Sequence, residues 1–418
     1  MSIGRRGFLA GALAGVGTVL ADRRALAAVA PAASSCVFVF LAGGPSQFDT
    51  FDPKPDVPEG DGVPVVSARG SGIPIAASLS RLADRADAFA LVRSLTSREP
   101  SHERAQHLLH TSHLPEGGVR RPSLGALVSR ARDAAGPGYV AMLGPGHGSG
   151  FLSAVHEPLV VNRPDRADTL LNLQPRQPAP RTARRLSMWR QLEDGFAAKH
   201  PRQFALDRRI VAEQAVTFTG SPGARAFSLD AESEATRSRY GATRFGQSCL
   251  LARRLVESAV PFVEIVHGSW DTHVDNKRRS QELCGPLDTG LSALLDDLKA
   301  SGHLHSTLVV AVGEFGRTPV VNADGGRGHH ASSFCALLAG GGIVGGTVLG
   351  RTDATGRHVE ADPVHVPDLL RTIGHQLGLD ADEEFQTPSG RPVTALDSGR
   401  VVTQLLDSTR TMRQTSSQ

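Results

Sequence analysis

The chain has 418 residues, 40% of them apolar and 21% charged, enough for one large domain or two modest ones with a full core. Its formal charge of +3 is local: Arg5, Arg6, Arg23 and Arg24 against Asp22 carry all of it, leaving residues 28–418 neutral. Without a basic patch or interleaved basic and aromatic residues, no nucleic-acid partner is expected.

At the N-terminus, Arg5-Arg6-Gly7-Phe8-Leu9 leads into an apolar run, Phe8 to Leu20, too short to span a bilayer. Ala25-Leu26-Ala27 follows as a small-residue cleavage site. Paired arginines followed by Phe-Leu fit twin-arginine export, so residues 1–30 read as a signal peptide and the mature chain as periplasmic or extracellular. The alternative is a disordered tail with chance arginines. No later stretch reaches the apolar length of a membrane helix, so no integral span is expected in the mature chain.

Four short apolar runs read as buried strands, and a polar cluster follows each. Cys36 to Leu41 runs into Gly43-Gly44-Pro45-Ser46-Gln47-Phe48-Asp49, and Phe89 to Val92 leads to Pro100-Ser101-His102. Val260 to Val266 ends in His267-Gly268-Ser269-Trp270-Asp271-Thr272-His273, and Leu308 to Val312 ends in Gly313-Glu314-Phe315-Gly316-Arg317-Thr318. Residues 53–76 and 164–183 read as irregular, the latter because Pro175, Pro178 and Pro180 forbid a long helix. Residues 184–217 are helical and polar, part of a cap around 184–245. Helices are expected over 245–256, through Leu287, Leu291, Leu294, Leu295 and Leu298, and through Leu369, Ile373 and Leu377 between Pro367 and Gly378. This alternation predicts a single α/β domain over residues 31–407, a mostly parallel sheet covered by helices on both faces, with a frayed tail at 408–418. Cys36, Cys249, Cys284 and Cys335 show no ligand spacing, and no disulfide is assigned.

In such a sheet all four clusters emerge at the carboxyl edge, where ligands bind in open α/β folds. Asp271 and His273 are metal-ligand types two residues apart; the bland alternative is an exposed turn capping the next helix. His329 and His330, approached through Gly325-Gly326-Arg327-Gly328, add imidazoles to the same place or are ordinary surface histidines. Glu314 reads as a ligand and Arg317 as an oxyanion clamp, with an inter-loop salt bridge as the alternative for both. Asp49 is a further carboxylate ligand candidate, while Asp52 before Pro53 shapes a turn. Ser101 is a candidate nucleophile or a helix N-cap, and His102 a ligand or base.

Those residues carry a resemblance. Gly268 to His273, Gly313-Glu314-Phe315-Gly316-Arg317-Thr318-Pro319, Gly326 to His330, and Gly43 to Pro55 resemble the exported bacterial family catalogued as domain of unknown function fifteen-oh-one. Arg121-Pro122-Ser123-Leu124-Gly125, Tyr240-Gly241 and Leu250 to Glu257 match it as well. That family looks like a branch of the alkaline phosphatase and sulfatase superfamily. The resemblance implies an alkaline-phosphatase-like three-layer sandwich and a divalent metal such as zinc, calcium or magnesium. It implies Asp49 as the first-strand carboxylate, Asp271 and His273 as the Asp/His pair, and His329 or His330 as the late histidine. Glu314 stands where the superfamily carries Asp-His, and Ser101 near the nucleophile's place. The implied activity is hydrolysis of phosphate or sulfate esters on small molecules or glycans; a non-catalytic envelope binding protein is the alternative. Gly328 replaces the family's usual Asp, Phe315 replaces a histidine after Glu314, and no Cys-x-Pro-x-Arg element is present.

Overall fold

The computed structural model describes residues 31–407, except 133, 135, 167–178, 200–202, 220 and 222. Residues 1–30, read from sequence as a signal peptide, the tail 408–418 and most of the proline-rich stretch at 164–183 lie outside the described residues. No described helix is long and apolar enough to cross a membrane.

Nine strands form the central sheet: β1 (Ser35–Phe40), β2 (Phe89–Thr96), β3 (Tyr139–Met142), β4 (Leu159–Val161), β5 (Phe262–Val266), β6 (Thr307–Val312), β7 (Phe334–Ala339), β8 (Thr347–Leu349) and β9 (Val364–His365). Their order is β8-β2-β7-β6-β1-β5-β3-β4, with β9 also on β2. Only β7 runs against its neighbours, β2 and β6; the other pairings are parallel. The carboxyl ends of β1, β2, β5 and β6 therefore share one edge, as their sequence pattern predicts. Because β7 runs the other way, the segment entering it, with His329 and His330, reaches that edge too.

The uninterrupted apolar run of β1 follows from burial on both faces. Val37 and Val39 pack into one core with Leu250, Leu251 and Leu255 of α5 (Arg244–Glu257) and Leu287, Leu291, Leu294, Leu295 and Leu298 of α6 (Asn276–Ala300). Cys36, Phe38 and Phe40 pack into the other. There they meet Leu108 and Leu109 of α1 (His102–Thr111), Leu124, Leu127 and Val128 of α2 (Leu124–Ala131), and Leu369, Leu370 and Ile373 of α7 (Val366–Gln376). Helix, sheet and helix make three layers. Each fully buried leucine contributes about 1.5–3 kcal/mol relative to an exposed one.

The helical stretch expected from residue 184 is two helices, α3 (Ala179–Lys199) and α4 (Gln203–Phe218). The first starts earlier than the prolines imply, since Pro180 falls in its first turn, where a missing N–H breaks no intrahelical bond. Residues 53–76 are not wholly irregular, because Val65–Ser67 pairs antiparallel with Pro74–Ala76. All four cysteines are buried and free.

Candidate metal centre

Glycine permits the close packing at the sheet edge. Gly43 sits at φ 110°, and a Cβ there would lie 2.4 Å from Asp271 N. A Cβ on Gly326 would lie 1.8 Å from the carbonyl oxygen of His273, so only glycine lets the late loop lie against the Asp271–His273 segment.

Around Asp271 Oδ1 gather Arg317 Nη2 at 2.6 Å, His273 Nε2 at 3.1 Å, and His102 Nε2 and His329 Nε2, each at 3.4 Å. His273 Nε2 and His329 Nε2 are 3.0 Å apart. One donor atom from each of His102, Asp271 and His329 lies within 4.8 Å of the others. His102 Nδ1 faces Glu314 Oε1 at 2.7 Å, and His329 Nδ1 faces the carbonyl of Pro100 at 2.8 Å. With its proton on Nδ1 in each case, each ring turns an Nε2 lone pair towards Asp271. His102 Nε2 is buried without a hydrogen-bond partner among the described residues. A carboxylate or carbonyl behind the imidazole is the usual second layer of a histidine–metal site, so this donor set fits a divalent ion.

The two rings are shifted in opposite directions. The Glu314 hydrogen bond, against burial, raises the pKa of His102. Burial lowers that of His329, and the Pro100 contact only partly offsets it. Burial disfavours charge on Asp271, but hydrogen bonding and charge from Arg317, with His273 and His102, hold its carboxyl below the usual range.

Four expectations from sequence need correction. Glu314 is wholly buried and accepts from Gly43 N at 3.0 Å, from Gln106 Nε2 at 3.1 Å and from His102, so its carboxylate is engaged in holding the His102 ring. Arg317 is equally buried. Its guanidinium donates to Gly44 O at 2.8 Å, Arg327 O at 3.1 Å, Gly43 O and Asp271, leaving no fork for a substrate oxyanion. Asp49 accepts from Asn276 Nδ2 at 2.8 Å and lies 3.8 Å from Arg327 Nε, a buried partnership outside the histidine cluster. His330 reaches the carbonyl of Arg357 through Nε2 at 2.8 Å. Neighbouring residues of a strand point to opposite sides, so when His329, paired with Arg317, faces Asp271, His330 cannot. Asp271, His273 and His329 do come together, and Ser101 is the exposed residue before His102. Ser101 occupies the N-cap of α1, but its hydroxyl makes no capping bond.

A family model matches residues 33–406, almost the whole described chain. The chain belongs to the family described as Protein of unknown function (DUF1501). No curated protein matches it. Among solved structures it is similar to the phosphonate monoester hydrolase of Agrobacterium radiobacter, with 12% identity, 90% of this chain and 77% of that one covered, and a TM-score of 0.39. It is similar to the lipoteichoic acid synthase LtaP of Listeria monocytogenes, with 12% identity, coverages of 84% and 74%, and a TM-score of 0.40. The PsFucS1 sulfatase of a Pseudoalteromonas species gives 14% identity, coverages of 82% and 68%, and a TM-score of 0.38.

Within this family member, sequence reasoning passed over Gln106 and Arg279. Gln106 lies one helical turn beyond His102, on the same face of α1, and an i, i+4 reading of that helix would have found it. Arg279, in the first turns of α6, is half-buried and touches the carbonyls of Asp271 and Ser269 only at 3.4 and 3.5 Å.

Proposed function

We propose that the chain is an exported, metal-dependent hydrolase of phosphate or sulfate esters on small molecules or glycans. The observation that supports this reading is the convergence of His102, Asp271, His273 and His329 from three separate segments, with two rings already turned by their Nδ1 partners. Three imidazoles and one carboxylate favour zinc over calcium or magnesium, which prefer all-oxygen sites. A divalent ion bound there would polarise an ester oxygen and lower the pKa of a neighbouring hydroxyl or water. His102 and His329 would hold it through Nε2, and Arg317 keeps Asp271 ionised for the same task. Ser101 is the candidate nucleophile, adjacent in sequence to a ligand and exposed. Arg279, with weak protein contacts, is the guanidinium left to offer a fork to a developing anion, since Arg317 has spent four of its five N–H groups on protein acceptors.

A panel of phosphate, sulfate and phosphonate esters, assayed with zinc, calcium or magnesium and again after chelation, tests this. Turnover that disappears on chelation is expected. Ser101→Ala should lower it on the order of 10³-fold or more, the scale seen when a nucleophile working as a unit with its partners is deleted. Equal turnover in that variant would pass the nucleophile's part to water. The engagement of Glu314 and Arg317 by protein groups favours a second reading, a non-catalytic envelope binding protein. That reading stands if no ester is hydrolysed with any of the ions.

Export belongs to the same proposal and rests on Arg5-Arg6 ahead of the short apolar run. Changing both arginines to lysine should leave the protein in the cytoplasm, as followed by cell fractionation. Undiminished export of that double variant would count against the twin-arginine route.

A further inference from the structure

Two turns along α1 from His102, a second set of ligand-type side chains lies inside the fold. Glu264 occupies the middle of β5, a central strand, and is 1% exposed. By strand alternation it shares a face with Phe262, towards α1 and α2. His110 Nε2 lies 3.1 Å from Glu264 Oε1, and the Tyr139 hydroxyl donates to Glu264 Oε2. His147, on the loop after β3, stacks on His110 with ring centroids 3.6 Å apart and planes 14° from parallel. One donor atom from each of His110, His147 and Glu264 lies within 4.8 Å of the other two.

The hydrogen bonding of His110 narrows the chemistry. Its Nδ1 faces the carbonyl of Gln106 at 2.7 Å, which requires a proton on Nδ1. A neutral ring then presents a lone pair on Nε2 to a carboxylate, a repulsive contact unless a proton or a cation lies between. His147 distinguishes the two. Its Nδ1 is buried without a partner among the described residues, and such an orphan costs about 1–3 kcal/mol. A proton shared by His110 and Glu264 does nothing for that nitrogen, whereas a cation takes up all three groups once the His147 ring turns out of its stack on His110, since each lone pair lies in its own ring plane. The arrangement behind His110 repeats that behind His329, with backbone carbonyl on Nδ1 and Nε2 turned inward.

We propose that His110, His147 and Glu264 form a second divalent-cation site of the zinc class, buried beneath the edge centre and separate from it. Two imidazoles and one carboxylate are a zinc-type donor set. Phe38 and Phe40, whose rings lie 5.7 and 4.7 Å from that of His110, wall the site on the sheet side. Gln106 links it to the edge centre, since its carbonyl accepts from His110 while its side-chain amide donates to Glu314. Burial and the neighbouring His110 hold the pKa of His147 down to about 3, which keeps its ring neutral and able to ligate.

The test compares the parent with His147→Ala, which spares the contacts among His110, Glu264 and Tyr139. Each protein is stripped with chelator, loaded with zinc, passed through a desalting column and analysed for zinc per chain. The expected result is one equivalent fewer in the variant, at unchanged circular dichroism, whatever the edge centre holds. Equal zinc content in the two folded proteins would overturn the proposal. Should His147→Ala not fold, Asp271→Ala/His329→Ala loaded with zinc serves instead. Its X-ray absorption should show two imidazole nitrogens on the ion, and an ion without imidazole ligands, or no ion, would overturn the proposal.

Discussion

Asp271→Ala/His329→Ala is expected to purify with one divalent ion fewer per chain than the parent and to hydrolyse no ester, while keeping the parent's circular dichroism. The two residues supply one carboxylate oxygen and one imidazole to a single cluster. Neither side chain belongs to the two main cores, so the sheet and its helices should survive the change. Glu314→Gln gives the graded counterpart. It keeps the shape of the side chain but replaces the carboxylate that His102 Nδ1 faces at 2.7 Å with a neutral amide. Loss of such a partner behind a ligand costs about 10–100-fold in metal affinity, to be read by competition with a chromogenic chelator. Unchanged metal content in the double variant would make Asp271 and His329 a hydrogen-bonded turn. Unchanged affinity in Glu314→Gln would remove Glu314 from any role in orienting His102.

The second large effect belongs to Arg317. Its guanidinium ties Gly43, Gly44, Arg327 and Asp271, segments from three different strand ends, into one unit. Arg317→Met leaves three buried carbonyls and a half-exposed carboxylate without that donor, and each buried acceptor left unpaired costs about 1–3 kcal/mol. Arg317→Lys should recover little of this, because an ammonium cannot reproduce the planar fork. Urea unfolding followed by fluorescence would measure both variants. Were Arg317 instead a substrate clamp, Arg317→Lys would unfold at the parent's urea concentration and lose only turnover. Stability therefore separates the two roles.

Much of this architecture is legible along the chain. Unbroken apolar runs such as Cys36–Leu41 imply strands buried on both faces, and leucines at helical spacing from 287 to 298 imply the covering helix. Parallel strands in turn bring the polar segments after β1, β2, β5 and β6 to one edge. Asp271, His273 and the pair His329–His330 could be placed at that edge because each follows or precedes a strand end there, which is also what the family resemblance implies. These inferences rest on local chemistry and on periodicity, both of which the residues themselves carry.

What tertiary structure alone decided is which atoms are already spent. Glu314 and Arg317 have the chemistry of a ligand and an anion clamp, but backbone N–H and carbonyl groups from residues more than 260 positions away consume them. Asp49 is diverted in the same way by Asn276, 227 residues distant. His329 and His330 are indistinguishable in sequence, and a two-residue ladder with Gly316 and Arg317 sends them to opposite sides. Glu264 looks like an interruption in an apolar strand until α1 and the loop after β3 bring His110 and His147 against it. Residue type and spacing determine where polar groups can gather; the hydrogen-bond partners that determine what they can still do come from distant segments and exist only once the chain is folded.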